Sequence, residues 1–145
     1  MDIFGNMNNE LFIYTDGAYS PTLDQGGIGL VFVKNGTIIY EYSKGFKNTT
    51  NNRCELYAVI KALQAVSKKI DILKIYSDSQ YVINSINLGW KRNKNQDLWK
   101  KFDMMFKKAS NHCSDIHFIW VKGHDTNIMN NKADVLAYNA SRECL

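Results

Sequence analysis

A chain of 145 residues with 45% hydrophobic composition can bury one substantial core but has no room for two ordinary domains. Its net charge of +4 is a modest indication of a polyanionic partner, and its three distant cysteines favour neither a disulfide framework nor a zinc site. No run approaches the ~18 apolar residues that cross a bilayer. We therefore expect a soluble, cytoplasmic protein with a single domain over residues 11–145 and a flexible leader over residues 1–10.

The first predicted element is a buried strand over residues 11–17 that carries Asp16 to a turn beginning at Gly17. The same plan returns at residues 75–78, where Asp78 ends a second apolar run. Two strands of one sheet would then present carboxylates at the same end, which makes physical sense chiefly if cations lie between them. Alternatively, each aspartate simply caps a turn or a helix.

An antiparallel meander is predicted to follow the first strand. After a polar loop over residues 18–25, three glycines lead into a second strand, and Asn35-Gly36 is a strong hairpin signal before a third strand over residues 37–42. The glycines could suggest a phosphate loop. Because they enter a strand and precede no helix, a bulge or close backbone packing is the favoured interpretation.

The helical period that begins near Asn52 predicts the first long helix. Glu55 lies three residues after Asn52, which is the spacing of a capping box, so a capping role and a catalytic role are both open on this evidence. The helix follows the meander and returns to the strand that ends in Asp78. This placement favours a helix lying against the sheet beside the two aspartates.

Two further helices are predicted, one capped by Ser79 and stopped at Gly89, the other beginning at Asp97. Seven of the 18 basic residues lie between positions 91 and 108, where they form either a solvated helix face or a nucleic-acid contact surface. Trp90 and Trp99 are interpreted as core residues rather than stacking platforms.

The last strand is predicted over residues 116–121, followed by a polar loop and a short terminal helix with Asp134 near its start. Val135, Leu136 and Tyr138 are the packing candidates of this helix. His124 lies beside a glycine in the loop at the end of the sheet, where a histidine can act as a proton shuttle.

Taken together, these blocks resemble ribonuclease H of type I. The resemblance spans about residues 11–141 and rests on five motifs in the family's order: Tyr14-Thr15-Asp16-Gly17, residues 49–56 (TTNNRCEL), Asp78-Ser79-Gln80-Tyr81-Val82, Asp97-Leu98-Trp99 and Trp120-Val121-Lys122-Gly123-His124. It implies an α/β fold with a five-stranded mixed sheet in the order 3-2-1-4-5, flanked by helices. It also implies an endonuclease that cleaves the RNA strand of RNA–DNA hybrids.

By this resemblance, two Mg²⁺ ions, for which Mn²⁺ could substitute, would be held by Asp16, Glu55, Asp78 and Asp134, and His124 would assist proton transfer or product departure. Cleavage would leave 5′-phosphate and 3′-hydroxyl ends, largely independent of sequence. The implied substrate contacts come from Thr50, which would bind a phosphate of the DNA strand, and from three minor-groove residues, Asn51, Asn52 and Gln80. We expect a monomer without membrane contact.

Four departures from the family pattern concern segments that would bind the substrate. Asn48 stands at the usual basic position before Thr50, the loop over residues 18–25 lacks an Asn-Pro-Gly run, and Asn131 replaces a frequent acid. The segment between Tyr81 and Trp99 is too short for the basic handle of many relatives, so the lysines of the third helix or an accessory partner would have to supply the grip.

The rival classes are integrases, transposases and junction resolvases, a non-catalytic hybrid-binding module, and a purely structural domain. Integrases and their relatives differ in the order and spacing of their acids. A hybrid-binding module usually loses at least one metal carboxylate, whereas all four are present here. A structural domain leaves the clustered acids unexplained.

Overall fold

Five strands form one mixed sheet in the order β3-β2-β1-β4-β5, as the sequence predicts, in a computed structural model that describes residues 9–123 and 127–143. Within these residues, four helices flank the sheet. The elements in chain order are β1 (Glu10–Ser20), β2 (Gln25–Lys34), β3 (Thr37–Lys47), α1 (Asn51–Gln64), β4 (Ile70–Ser77), α2 (Gln80–Asn87), α3 (Gln96–Ser110), β5 (Cys113–Trp120) and α4 (Ile128–Arg142). No helix in the described ranges is long and apolar enough to cross a membrane.

The antiparallel meander of β1, β2 and β3 is confirmed, and so is its hairpin, in which Asn35 and Gly36 both have positive φ angles of 53° and 76°. The predicted loop over residues 18–25 is wrong in its first part. Strand β1 continues to Ser20, which pairs with Gln25, and only residues 21–24 form the turn. Asp16 therefore lies inside a strand and not at a turn, because the β1–β2 ladder continues past it.

The two faces of the sheet carry different helices. Helix α1 buries Leu56, Val59, Ile60 and Leu63 against one face, and α3 adds Trp99 and Phe102 to the same core. The other face packs against α4 through a smaller cluster of Val31, Val33 and Ala133. Because successive strand residues point to opposite faces, this division places Ile13 and Thr15 towards α1 and Tyr14 towards the side of α4.

Helix α4 approaches the sheet closely because β2 presents glycines to it. A Cβ atom would lie 2.4 Å from the carbonyl oxygen of Ala137 if added to Gly27, and 2.3 Å from that of Ala133 if added to Gly29. Close backbone packing is thus confirmed for both glycines. Of the three predicted packing residues of α4, Leu136 is confirmed, because it packs against the Val31 and Val33 cluster. The prediction is wrong for Val135 and Tyr138, which are 57% and 51% exposed, whereas the small residues Ala133, Ala137 and Ala140 are buried. Nor is the helix short, since it has 15 residues.

The link between α2 and α3 is short, and no handle helix lies there. Ser79 caps α2 by accepting the N–H of Val82 at 3.2 Å, and Gly89 follows the helix with a φ angle of 67°, both as predicted. Trp99 is buried as expected. Trp90 is 48% exposed, so its interpretation as a core residue is wrong: it lies in the α2–α3 link, outside both helices.

Candidate active site

Two neighbouring parallel strands bring Asp16 and Asp78 to the same end of the sheet. Asp16 is buried inside β1, and Asp78 follows β4 directly and is half-buried. The β1–β4 ladder runs from Glu10↔Ile72 to Tyr14↔Tyr76, so each aspartate lies two residues beyond its last row. This equal offset in two parallel strands is why their side chains meet.

Glu55 reaches the same point from helix α1. The N-cap of this helix is Thr50, whose hydroxyl accepts the N–H of Arg53 at 3.2 Å. Of the two roles left open for Glu55, the capping box with Asn52 is therefore not formed. Glu55 Oε1 instead accepts the backbone N–H of Gly17 at 2.7 Å. A Cβ at Gly17 would lie 2.5 Å from the backbone nitrogen of Glu55, so a glycine is needed for α1 to approach β1 this closely.

The ligand oxygens of Asp16, Glu55 and Asp78 all lie within 4.8 Å of one another. One residue of the last strand and one of the loop after it lie against Asp78. The indole N–H of Trp120 donates to the Asp78 carbonyl at 3.1 Å, and a Cβ at Gly123 would lie 2.8 Å from Asp78 Oδ2. Asp134 approaches from the second turn of α4 and contacts the cluster through a hydrogen bond with the Asp16 side chain.

Burial and mutual repulsion raise the pKa values of the central carboxyls. Burial is the largest cause for Asp16, followed by the negative charge of Glu55 and the hydrogen bond with Asp134. Burial also raises the pKa of Glu55 well above 4.5, with the charge of Asp78 next, while the N–H of Gly17 acts in the opposite direction. Ionising all of these groups at neutral pH is therefore costly unless a cation joins them.

The donor set fits a hard divalent cation. Carboxylate oxygens are the ligands that Mg²⁺ and related ions prefer in proteins, and the cluster combines several of them with partial exposure of Asp78 to solvent. Without a metal, the negative carboxylates of the cluster repel one another, and a bound cation would offset this repulsion.

The predicted substrate-binding residues lie at the starts of two helices. Thr50, Asn51 and Asn52 are exposed at the N-terminus of α1, and Gln80 is the exposed first residue of α2. His124 lies outside the described residues. Its predicted role, like the individual roles of the other site residues, stays a prediction.

Sequence reasoning missed a polar network that fixes the start of α1 to α3. The Arg53 guanidinium makes two hydrogen bonds to the Asp97 carboxylate, at 3.0 and 2.7 Å, and a third to Asn95 at 3.2 Å. Asn95 donates to the Tyr81 hydroxyl, which also accepts the Trp99 indole N–H, both at 3.1 Å. The only sequence signal was the presence of Arg53, Tyr81 and Asp97 within the recognised motifs.

A mixed α/β sheet that carries a carboxylate cluster at the splayed ends of two parallel strands defines a class of domains suited to cation-dependent chemistry. Comparison with known proteins identifies the family within this class. The family described as RNase H matches residues 8–142. Ribonuclease H of Francisella philomiragia is 42% identical, over 99% of this chain and 97% of its own, and that of Lachnoclostridium phytofermentans is 41% identical, over 89% and 90%.

Solved structures agree with this assignment. RNase H1 of the halophilic archaeon Halobacterium salinarum superposes with a TM-score of 0.72 at 27% identity, covering 90% of this chain and 96% of its own. The N-terminal RNase H domain of a Mycobacterium tuberculosis protein, with a TM-score of 0.73 at 22% identity, covers 92% and 94% and shares the fold. The chain belongs to the ribonuclease H family, a group of endonucleases that act on RNA–DNA hybrids.

Proposed function

We propose that this protein hydrolyses the RNA strand of RNA–DNA hybrids with two divalent cations and leaves 5′-phosphate and 3′-hydroxyl ends. The observation that carries the proposal is the convergence of three carboxylates within 4.8 Å, at the positions that the ribonuclease H resemblance assigns to metal ligands. The clustering of the carboxylates is a feature of the structure, and the family membership comes from comparison with known proteins. Both lead to the same chemistry.

Asp16, Glu55, Asp78 and Asp134 would hold the cations, with Mg²⁺ as the physiological ion and Mn²⁺ as a substitute. When bound, two such ions supply an activated water and stabilise the leaving oxygen, so that no nucleophilic side chain is needed. The protein's own contribution is to hold the carboxylates: the N–H of Gly17 binds Glu55, the indole of Trp120 binds the Asp78 carbonyl, and Gly123 leaves room for the Asp78 carboxylate. His124 would move a proton or assist product departure.

Substrate recognition would use the exposed polar residues at the starts of α1 and α2. Asn51, Asn52 and Gln80 would hydrogen-bond in the minor groove, where the 2′-hydroxyl distinguishes RNA from DNA. Thr50 would bind a phosphate of the DNA strand. Beside it, Lys47, Asn48 and Arg53 contribute to the lining of a cavity of about 210 Å³, so basic groups remain near this position although Asn48 itself is neutral.

Further contacts with the phosphates of the hybrid would come from the basic segment between positions 91 and 108. Lys91, Lys94 and Lys100 are exposed, and neighbouring Asn95 is tied to Arg53 at the start of α1. We also propose that the protein acts as a cytoplasmic monomer, with an accessory nucleic-acid-binding partner as an alternative source of grip. The free thiols of Cys54 and Cys113 support a reducing compartment.

The proposal is tested by cleavage of an end-labelled RNA–DNA hybrid with Mg²⁺, beside duplex RNA, duplex DNA, single strands and the Asp78→Asn protein. We expect cuts only in the RNA strand of the hybrid, and none with Asp78→Asn, which should still bind the hybrid. Cutting of duplex DNA would favour an integrase or resolvase activity. Hybrid binding without cleavage in either Mg²⁺ or Mn²⁺ would contradict the catalytic role.

A further inference from the structure

The backbone ladder between β1 and β4 stops before it reaches the aspartates. Its last paired row is Tyr14↔Tyr76, whereas β1 continues to pair with β2 up to Ser20 and β4 continues to pair with β5 up to Ser77. Strands β1 and β4 therefore separate just where Asp16 and Asp78 begin to face each other. Main-chain pairing alone does not fix the distance between these two residues.

Several side-chain contacts join the strands at this last row, among them a hydrogen bond between the Tyr14 and Tyr76 side chains. The rings of Tyr14 and Tyr76 stack with their centroids 4.4 Å apart and their planes within 7°. The Thr15 hydroxyl donates to the Tyr76 carbonyl at 2.8 Å. Since neighbouring residues of a strand point to opposite faces, the stacked rings hold the strands on the side of α4 and the Thr15 hydroxyl holds them on the side of α1.

We propose that Tyr14, Tyr76 and Thr15 are positioning residues that set the separation of Asp16 and Asp78, and through it the geometry of the carboxylate cluster for divalent cations. The inference rests on the proposed use of these carboxylates as metal ligands. None of the three residues is among the clustered ligands. Their effect passes through the backbone, because Thr15 adjoins Asp16 and each tyrosine precedes its aspartate by two residues.

The chain offers a matched control for the ordinary stabilising effect of such a pair. Phe32 and Tyr40 are also directly paired residues of neighbouring strands, with ring centroids 5.4 Å apart. They join β2 to β3 away from the carboxylate cluster, near the β2–β3 hairpin, where the ladder is paired on both sides of them and shifts register between Phe32 and Val33. Loss of the Tyr40 ring should therefore lower stability without changing the separation of the aspartates.

The test uses the full chain and compares Tyr76→Leu and Thr15→Val with the conservative variants Tyr76→Phe and Thr15→Ser and with the control Tyr40→Leu. Mn²⁺ affinity is measured by calorimetry in the absence of substrate. The values of kcat and KM are measured on an RNA–DNA hybrid, and stability is measured by urea unfolding. We expect Tyr76→Leu and Thr15→Val each to weaken Mn²⁺ binding about tenfold and to lower kcat, while KM stays within about twofold. Tyr76→Phe and Thr15→Ser should resemble the parent, and Tyr40→Leu should lose stability only.

Parent-like Mn²⁺ affinity and kcat in folded Thr15→Val and Tyr76→Leu would overturn the inference, and so would an equal loss in Tyr40→Leu. If Tyr76→Leu fails to fold, Thr15→Val decides, because it removes one hydroxyl and keeps the side-chain shape. A parent protein that binds no Mn²⁺ would instead refute the metal site of the proposed function, which separates the two failures.

Discussion

Glu55 shows how a single residue couples stability to cation binding. Its carboxylate is buried and is held by one backbone N–H from Gly17, and its nearest charged neighbours are the other acids of the cluster. Such a group is useful when a cation is bound and costly when it is not. The metal-free protein should therefore carry a measurable electrostatic penalty at neutral pH.

The sign of this penalty follows from the raised pKa values of Asp16 and Glu55. Between the unfolded pKa of about 4 and the higher folded pKa, the folded protein binds more protons than the unfolded chain. The contribution of these groups to stability is thus complete at low pH and is lost as pH rises. In EDTA, each of these two groups should therefore lower the free energy of unfolding by at most about 1.4 kcal/mol for each unit that the pH rises.

We predict that Glu55→Gln raises the free energy of unfolding of the metal-free protein at about pH 7.5. The decrease of this free energy between about pH 5.5 and about pH 7.5 should also be smaller than in the parent protein. The amide oxygen can still accept the N–H of Gly17, so the helix stays in place. Urea unfolding in EDTA measures the effect. The same variant should lose the stabilisation by Mg²⁺ and the cleavage activity; an unchanged pH slope would contradict the assigned cause.

At the same scale, the meeting of Asp16 and Asp78 could be predicted from the sequence, because an apolar run that leads to an aspartate is a local pattern, whereas Glu55 and Asp134 were assigned to the site only with the family resemblance. The supports of those acids could not be predicted. The Gly17 contact joins residues 38 positions apart, and the Trp120 contact joins residues 42 apart. Local spacing instead suggested a capping box for Glu55, and only the packing of α1 on β1 excludes it.

At the scale of elements, the position of the α1 N-terminus depends on the pair of Arg53 and Asp97. The guanidinium lowers the pKa of the Asp97 carboxyl to about 2, so the pair's contribution is present above the unfolded pKa of about 4 and is lost as pH falls towards 2. Because Asp97 is largely exposed, its contribution to stability is less than about 1 kcal/mol. Its larger effect should be on the substrate-binding residues at the start of α1.

We predict that Asp97→Asn raises KM for the hybrid several-fold and leaves kcat nearly unchanged, because it loosens the helix turn that carries Asn51 and Asn52. Asp103→Asn is the control. It breaks the Arg92–Asp103 pair, whose side chains are 32% and 62% exposed, against 31% and 65% for Arg53 and Asp97. Steady-state kinetics on one hybrid measures both variants. An equal change of KM in both would assign the effect to lost charge and not to the position of α1.

The packing of α4 on β2 gives a second prediction for this scale. Gly29→Ala places a methyl group against the Ala133 carbonyl, so we expect a loss of about 1–3 kcal/mol in the free energy of unfolding. Activity should fall as well, because the displaced helix carries Asp134. Ser43→Ala, on the strand residue paired with Gly29, is the control, and urea unfolding with a cleavage assay checks both. Parent-like stability of Gly29→Ala would show that α4 can shift at no cost.

The whole sheet could be predicted only in part from residue patterns. The meander follows from short turns such as Asn35-Gly36, but the placement of β4 beside β1 joins distant segments, and its prediction depended on the family resemblance. The sequence also suggested that the larger side chains of α4, Val135 and Tyr138, face the core. That expectation was wrong for these two residues because the glycines of β2 bring the backbone of α4 close to the sheet at Ala133 and Ala137, whereas Leu136 packs as predicted against the Val31 and Val33 cluster.

The distribution of charge over the whole molecule leads to the last prediction. The acids of the cluster lie at one end of the sheet, and exposed Lys94 and Lys100 lie near the start of α1 that borders this end, whereas exposed Lys68 and Lys69 precede β4 at the opposite end. If the segment between α2 and the first turns of α3 replaces a handle, only the first pair contacts hybrid phosphates. Each phosphate contact releases a counterion, so the slope of log affinity against log salt counts such contacts.

We predict that Lys94→Gln with Lys100→Gln reduces the magnitude of this slope by about 2 and weakens hybrid binding at low salt. Lys68→Gln with Lys69→Gln removes the same charge from the opposite end and should change the slope little. Binding is measured by fluorescence anisotropy with Ca²⁺ in place of Mg²⁺, so that the hybrid stays intact. Equal reductions in both double variants would mean that net charge, and not a defined surface, attracts the hybrid, and a handle-less chain would then need its grip from a partner.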